Sequence, residues 1–447
     1  MNGPVRVAVA AVAAIAVGLT LAVSGGFAWD ADSITESSSQ SGPPVPAGGI
    51  DPAALATAND LDATVAALQA RLRDQPSDAR SWATLGLAYV EQARVSGDPS
   101  LYPRAAGALE RSLTEQPEDN ALALAGQAAL ASARHQFGTA LRRSEEALTI
   151  NPYELGALAV RVDALTELGR YRTARTALAQ ADRRRPSVQI FARYSYAYEL
   201  RGRTAEAVRL LERAVTGSSA PTDRAYLLSL LADLHRKAGR LVASGQALAQ
   251  ARQADPESLA ASASGARLAV ARGDLGEAAR RWRELVARAP MPEYVLALGE
   301  LYAAADRSAQ ASRQFDVLEA TAQLARGNGV DTDLETARYQ ADHGEAAAAL
   351  ESARTAWREA PSIWAADALA WALHQTGRDE PALRRAREAT RLGTPDPLLW
   401  IHRGAIEASL GQDVLAAAHL RRGLAADPGL SPWQREEAEQ LLARVAR

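Results

Sequence analysis

The stretch Leu155–Pro186, LGALAVRVDALTELGRYRTARTALAQADRRRP, decides the fold. Its first half places apolar residues at helical spacing as far as Leu168, and Gly169 then offers the positive φ with which a helix can end. The second half is rich in alanine, a strong helix former, until Pro186 stops it. The stretch therefore predicts a helix, a tight turn, a second helix and a stop. The pattern recurs along the chain. Prolines that follow a helical stretch stand at 76, 117, 152, 186, 221, 256, 290, 361, 395 and 428, with spacings of 41, 35, 34, 35, 35, 34, 71, 34 and 33. The spacing of 41 fits one period plus an insertion around RVSGDP at 94–99, and that of 71 fits two periods whose middle proline is missing near Gln323. Glycines keep the same period, at 169, 202, 239, 273, 344, 377 and 411. A lone helix pair cannot bury both of its faces, so neighbouring pairs must stack.

The residues at fixed places in each unit match a family. WATLGLAY at 82–89 carries Trp82, Leu85, Gly86 and Tyr89 at the spacing W-x₂-L-G-x₂-Y, and LGELY repeats part of it at Leu298, Gly299 and Tyr302. Leu158, Leu165, Gly169, Tyr171, Ala174, Leu178, Ala181 and Pro186 fall at the remaining pattern positions. Gly273, Ala278, Trp282 and Pro290 do so in a later unit, and Trp400, Gly404, Gly411, Ala416 and Pro428 in the last. The chain thus resembles the tetratricopeptide repeat proteins over roughly 77–430. The resemblance implies an all-α, right-handed superhelical solenoid of about ten helix-turn-helix repeats with N- and C-terminal helical caps. Residues 51–76 supply the first cap or half repeat, with Leu61, Leu68 and Leu72 inward. Residues 431–447 supply the last, a charged helix with Leu441, Leu442 and Val445 inward. Small residues such as Ala174, Ala207, Ala278, Ala311 and Ala416 are expected where paired helices cross.

Ahead of the array, Val7–Val23 is an unbroken apolar run, and Arg6 is the only charged side chain before Asp30. Residues 1–30 are expected to be a signal peptide or an N-terminal transmembrane anchor, two alternatives that length and flanks leave open. With Arg6 on one side and Asp30, Asp32 and Glu36 on the other, the rest of the chain is expected outside the cytoplasm, membrane-anchored or secreted. Residues 31–50 are dominated by Ser, Pro and Gly and form a flexible linker. The scarcity of lysine and the excess of Arg and Ala resemble proteins of GC-rich bacteria, which suggests an actinobacterial cell envelope.

Composition narrows the chemistry. The 447 residues carry 50 Lys plus Arg against 53 Asp plus Glu, a formal charge of −3 that gives no general reason to bind nucleic acid. Cysteine is absent, so disulfides, thiolate metal sites and a lipid-bearing cysteine are excluded. The histidines 135, 235, 343, 374, 402 and 419 show no metal-ligand spacing and read as polar surface or groove residues. No nucleotide-binding loop or nucleophile elbow occurs. No cofactor, metal site or catalytic constellation is expected, and the chain is expected not to be an enzyme.

A binding surface is what remains. The resemblance implies that first helices line a concave groove where partner peptides lie. In the unit before Pro395 its groove stripe is Trp364, Asp367, Trp371 and His374, continued by Leu398 and Ile401 in the next. A second set is Tyr196, Glu199, Tyr226, Asp233, Arg236 and Lys237, the last being the sole lysine of the chain. The expected function is a non-enzymatic protein–protein interaction scaffold of the cell envelope. The alternatives are an accessory subunit of an envelope enzyme or transporter complex, or an envelope-polymer (carbohydrate) binder that stacks sugars on Trp364 and Trp371.

Overall fold

A computed structural model describes residues 61–447. The expected signal or anchor, the linker and positions 51–60 of the first cap lie outside the described residues. Among the described residues the regular structure is helical throughout, without strands, and no helix is long and apolar enough to cross a membrane.

The described chain opens with α1 (Leu61–Asp74). Helix hairpins then follow one another: α2 (Ala79–Ser96) with α3 (Tyr102–Glu115), α4 (Ala121–Ala133) with α5 (Phe137–Ile150), and α6 (Leu155–Glu167) with α7 (Tyr171–Arg184). Next come α8 (Val188–Glu199) with α9 (Thr204–Gly217), α10 (Pro221–Lys237) with α11 (Leu241–Ala254), and α12 (Leu259–Ala271) with α13 (Leu275–Arg288). The last hairpins are α14 (Pro292–Ala304) with α15 (Ser308–Gly327), α16 (Asp333–His343) with α17 (Ala346–Glu359), α18 (Ile363–Gln375) with α19 (Asp379–Ala389), and α20 (Pro397–Ser409) with α21 (Asp413–Ala426). The closing helix is α22 (Pro432–Val445).

Punctuation works as the sequence predicts in most hairpins. Gly169 takes φ 69°, and the N–H of Arg170 reaches back to the carbonyl of Leu165 at 2.8 Å. That closes the first helix with the bond pattern typical of a left-handed C-terminal residue. Gly202, Gly239, Gly273, Gly377 and Gly411 are also left-handed. Gly344 is not: its φ is −135°, and the short α16 ends there without the left-handed turn. Two hairpins make the same turn without glycine, through His135 at φ 59° and Asp306 at φ 57°. His and Asp are among the few side chains that enter this region readily.

Departures in spacing have direct structural counterparts. The insertion at 94–99 extends α2 to Ser96 and adds a 3₁₀ turn over Pro99–Leu101. Where the middle proline is missing, nothing stops α15. It runs for 20 residues to Gly327, whereas α13 has 14.

Close helix approach explains the alanine content. Ala207, Ala278 and Ala416 are fully buried, and Ala174 and Ala311 nearly so. The glycines of the repeated L-G element mark close crossings. A Cβ on Gly86 would lie 2.5 Å from Leu109, and one on Gly299 would lie 2.5 Å from the Phe315 ring. At the far end Leu441, Leu442 and Val445 pack on Ile401, Leu420, Leu430 and Ala438. The helix that carries them does more than cover an end. Trp433 lies 4.5 Å from the His343 ring, and Gln434 reaches Glu300 of α14, so α22 ties the last hairpin back to the middle of the array.

Candidate functional site

The array curls until its second half touches its first. His135 Nδ1 lies 3.0 Å from the carbonyl oxygen of Asp331, whose own N–H donates to the Arg134 carbonyl at 2.9 Å. One hairpin on, the Ile363 N–H donates to the Tyr171 hydroxyl at 2.9 Å, and the Trp364 indole donates to the Tyr196 hydroxyl at 3.3 Å. Further along, the Thr394 hydroxyl donates to the Leu200 carbonyl at 2.7 Å, and Arg236 pairs with Asp427. Most of these partners stand 191 to 196 positions apart, between five and six repeat periods. Apolar packing joins the same surfaces, since Ile363, Trp364 and Trp400 share one core with Tyr171, Leu211 and Leu228.

Closure along this seam changes the character of the expected groove. Trp364, Asp367, Ile401, Tyr196, Glu199 and Arg236 are all buried. Helix α18 is buried from Ile363 to Ala370, so Trp364 and Asp367 of its groove stripe face protein, whereas Trp371 and His374 stay half-buried. The expectation of an open surface gives way there because the curl of the array brings a second layer onto it. Glu199 accepts from Lys237 Nζ at 2.7 Å, and Arg236 lies between Asp233 and Asp427. Half-buried Tyr226 has its hydroxyl pKa pushed up to about 12 by burial. His374 is held at 2.5 Å by Asp379. Of the two rings expected as sugar platforms, Trp364 is buried with its indole N–H engaged, and Trp371 has one face stacked on His402 at 4.2 Å.

A chamber of about 420 Å³ remains inside the curl. First helices supply most of its wall: α12, α14, α16, α18 and α20 contribute, joined by α15 and α22. Of the residues expected in the groove, Asp367, Trp371 and Leu398 line it; the others do not. Its floor is a linked set of polar groups. His402 Nδ1 contacts both oxygens of Asp367 at 3.0 and 3.1 Å, and the Trp371 indole donates to Asp342 at 2.6 Å. Burial alone would disfavour charge on His402, yet Asp367 and Asp342 outweigh it and raise its pKa. Burial raises the pKa of Asp342 despite that histidine.

A second void, of about 40 Å³, lies in the seam between α6 and the segment 331–335. Glu167 and Glu335 face it from opposite halves of the array. Glu167 is 8% exposed and makes no hydrogen bond or ion pair among the described residues. Burial, with the charges of Asp163 and Glu335, pushes its pKa to about 8.

Sequence reasoning missed most of the chamber. His402 is buried and His343 half-buried, and both contact carboxylates, contrary to the expectation of surface or groove residues. Glu293 and Glu300 on α14, and Glu335, Tyr339 and Asp342 on α16, were not singled out. They stand seven apart, or four and three apart, and such spacing puts them on one helix face. That periodicity is the signal that could have found them. Among the described residues no cluster of His, Asp or Glu is arranged to hold a metal ion.

The fold and chamber define the chain as an all-α solenoid of helix hairpins closed around an interior. Comparison with protein-family profiles and with curated protein sequences finds no match. Among solved structures the chain is similar to the Cut9–Hcn1 hetero-tetramer of the APC/C, with 14% identity, TM-score 0.43, and coverage of 89% of this chain and 83% of that one. A human IFIT1 dimer with PPP-AAAA gives 14% identity, TM-score 0.45 and coverage of 82% and 87%. A tetratricopeptide protein of Thermus thermophilus gives 24% identity, TM-score 0.36 and coverage of 41% and 94%.

Proposed function

We propose that this chain is a non-enzymatic scaffold that holds a partner protein or peptide, with the internal chamber as its binding site. The observation that carries this is the chamber itself. It is built by first helices from successive hairpins, and its volume of about 420 Å³ leaves room for side chains of a partner segment. The hydrogen-bonded polar floor and the Trp371 ring offer both orientation and contact area to a guest. Residues 1–30, read as a signal or anchor, and the spacer at 31–50 support a position outside the cytoplasm, tethered to or released from the membrane.

Proximity labelling with the full chain in its native cell tests this against a Trp371→Ala variant. Partners labelled by the parent protein and lost in a variant of undiminished helicity are the expected result. An identical partner set from both proteins, or reproducible turnover of a substrate by the purified protein, overturns it.

A further inference from the structure

The ionisable groups of the chamber do not balance. Six carboxylates line it against three guanidinium groups and the imidazoles of His343 and His402, and His402 is taken up by Asp367. One of the guanidinium groups, Arg326, sits at the exposed rim and is bonded to Thr332 and Thr336. Arg267 reaches out of the chamber to Asp233 at 3.5 Å. Only Arg338 remains without a hydrogen bond among the described residues, and its field acts on Glu335 and on Asp396, which lies outside the chamber.

Asp367 is held by His402 and Asp342 by the Trp371 indole, but Glu300 is left with long contacts alone. Glu300 has a side chain only 5% exposed. Its Oε1 has two long contacts, to His343 and Gln434, each 3.4 Å, and its Oε2 makes no hydrogen bond among the described residues. Asp342 stands close enough to Glu300 for the two to repel. Glu293, on the same face of α14, has its pKa raised by burial, which Arg267 only partly offsets. Beside these acids stand the rings of Trp371 and Tyr339, surfaces that attract a desolvated cation.

We propose that the chamber takes a cationic side chain, an arginine or lysine of a partner segment, held by Glu300, Asp342 and Glu293 against the aromatic wall. This rests on the scaffold reading and names the chemistry of its guest. The chain's own N-terminal segment does not fit the role. Positions 7–60 contain no Lys or Arg, while Asp30, Asp32, Glu36, Asp51 and Asp60 would be repelled. An acidic partner segment is disfavoured for the same reason.

Calorimetric titration of the full chain with a blocked arginine–alanine octapeptide and its glutamate–alanine counterpart tests the assignment. The arginine peptide is expected to bind, the glutamate peptide is not, and Glu300→Gln combined with Asp342→Asn should weaken binding at least tenfold. Glu293→Gln, at a half-buried site that tolerates a neutral isostere, should weaken it several-fold and serves if the double variant does not fold. Neutralising the exposed pair Glu436 and Glu437 should change nothing, which separates the chamber from general surface charge. Affinity unchanged in the folded chamber variants overturns the proposal. So does equal or tighter binding of the glutamate peptide. If that binding is lost in Trp371→Ala, the scaffold reading survives while the charge assignment falls. Absence of arginine-peptide binding overturns this inference alone, because partner labelling decides the scaffold reading separately.

Discussion

Two regions of one repeat array behave differently. The hairpin α6–α7 obeys the pattern at every mark: an L-x-x-L start, a left-handed Gly169 and a terminal Pro186. The segment from α14 to α16 breaks it three times. Asp306 replaces the turn glycine, the stopping proline is absent, and α16 is cut to 11 residues. The regular region packs as an ordinary layer. The irregular one supplies five of the chamber's six acids, Glu293, Glu300, Glu319, Glu335 and Asp342, and its overlong α15 carries the chain to the seam. Regular and irregular hairpins both reach the seam, but the irregular ones carry most of the chamber's acidic wall.

The strongest way to break this contrast is to restore the missing stop. Gln323→Pro places a proline inside the final turns of α15, removing an N–H bond and clashing with the preceding turn, at a cost of about 3 kcal/mol or more. The expected outcome is a large fall in the midpoint of thermal unfolding, with reduced helicity by circular dichroism. A melting curve like that of the parent protein would show that the overlong helix contributes nothing to the enclosure.

A smaller effect separates turn from seam. Gly169→Ala suffers both a left-handed backbone and a Cβ that would collide with the Pro361 carbonyl across the seam. Gly239→Ala has the same backbone at φ 72° but open space around it. The first should cost roughly 2–4 kcal/mol and the second about 1–2, measured by denaturant unfolding. Equal costs would mean that the first and second halves of the array do not press on each other there.

The smallest effect is a pH dependence where the two regions meet. Glu167 of the regular hairpin keeps its proton up to about pH 8 in the folded chain, whereas an unfolded glutamate loses it near pH 4.3. The folded state binds the extra proton between those values, so this group's contribution is complete below about pH 4 and declines as pH rises to 8. Glu167→Gln should therefore stabilise the protein by roughly 1–2 kcal/mol at pH 8 and leave it unchanged near pH 4. The same increment at both pH values would show that Glu167 is not held neutral in the seam.

What was legible in the sequence follows from what is local. Hairpins, their turns and their small-residue crossings are set by residues within one or two periods, and Gly169, Pro186 and Ala278 announce them. The assignment failed at Gly344, where a glycine on the period does not make a left-handed turn, and was blind to His135 and Asp306, where other residues do. The chamber was harder to see because it is made by curvature summed over several hairpins. Trp371 and Asp367 were named from their helical stripe. That the stripe would be covered depended on residues 168 to 192 positions away, such as Tyr196 and Tyr171. No short-range pattern carries that pairing.

The seam has a consequence for how the molecule comes apart. An open solenoid exchanges contacts only between neighbours, so it can fray from an end and unfold in steps. Here bonds such as Thr394 to Leu200 and Arg236 to Asp427 tie distant hairpins into a ring, and α22 latches the end to α14. Loss of one hairpin removes support from another that is remote in sequence. Closing the ring also requires ordering the long stretch between its partners, which makes the seam a late and slow step of folding. The array is read as a line, but it is stable as a loop.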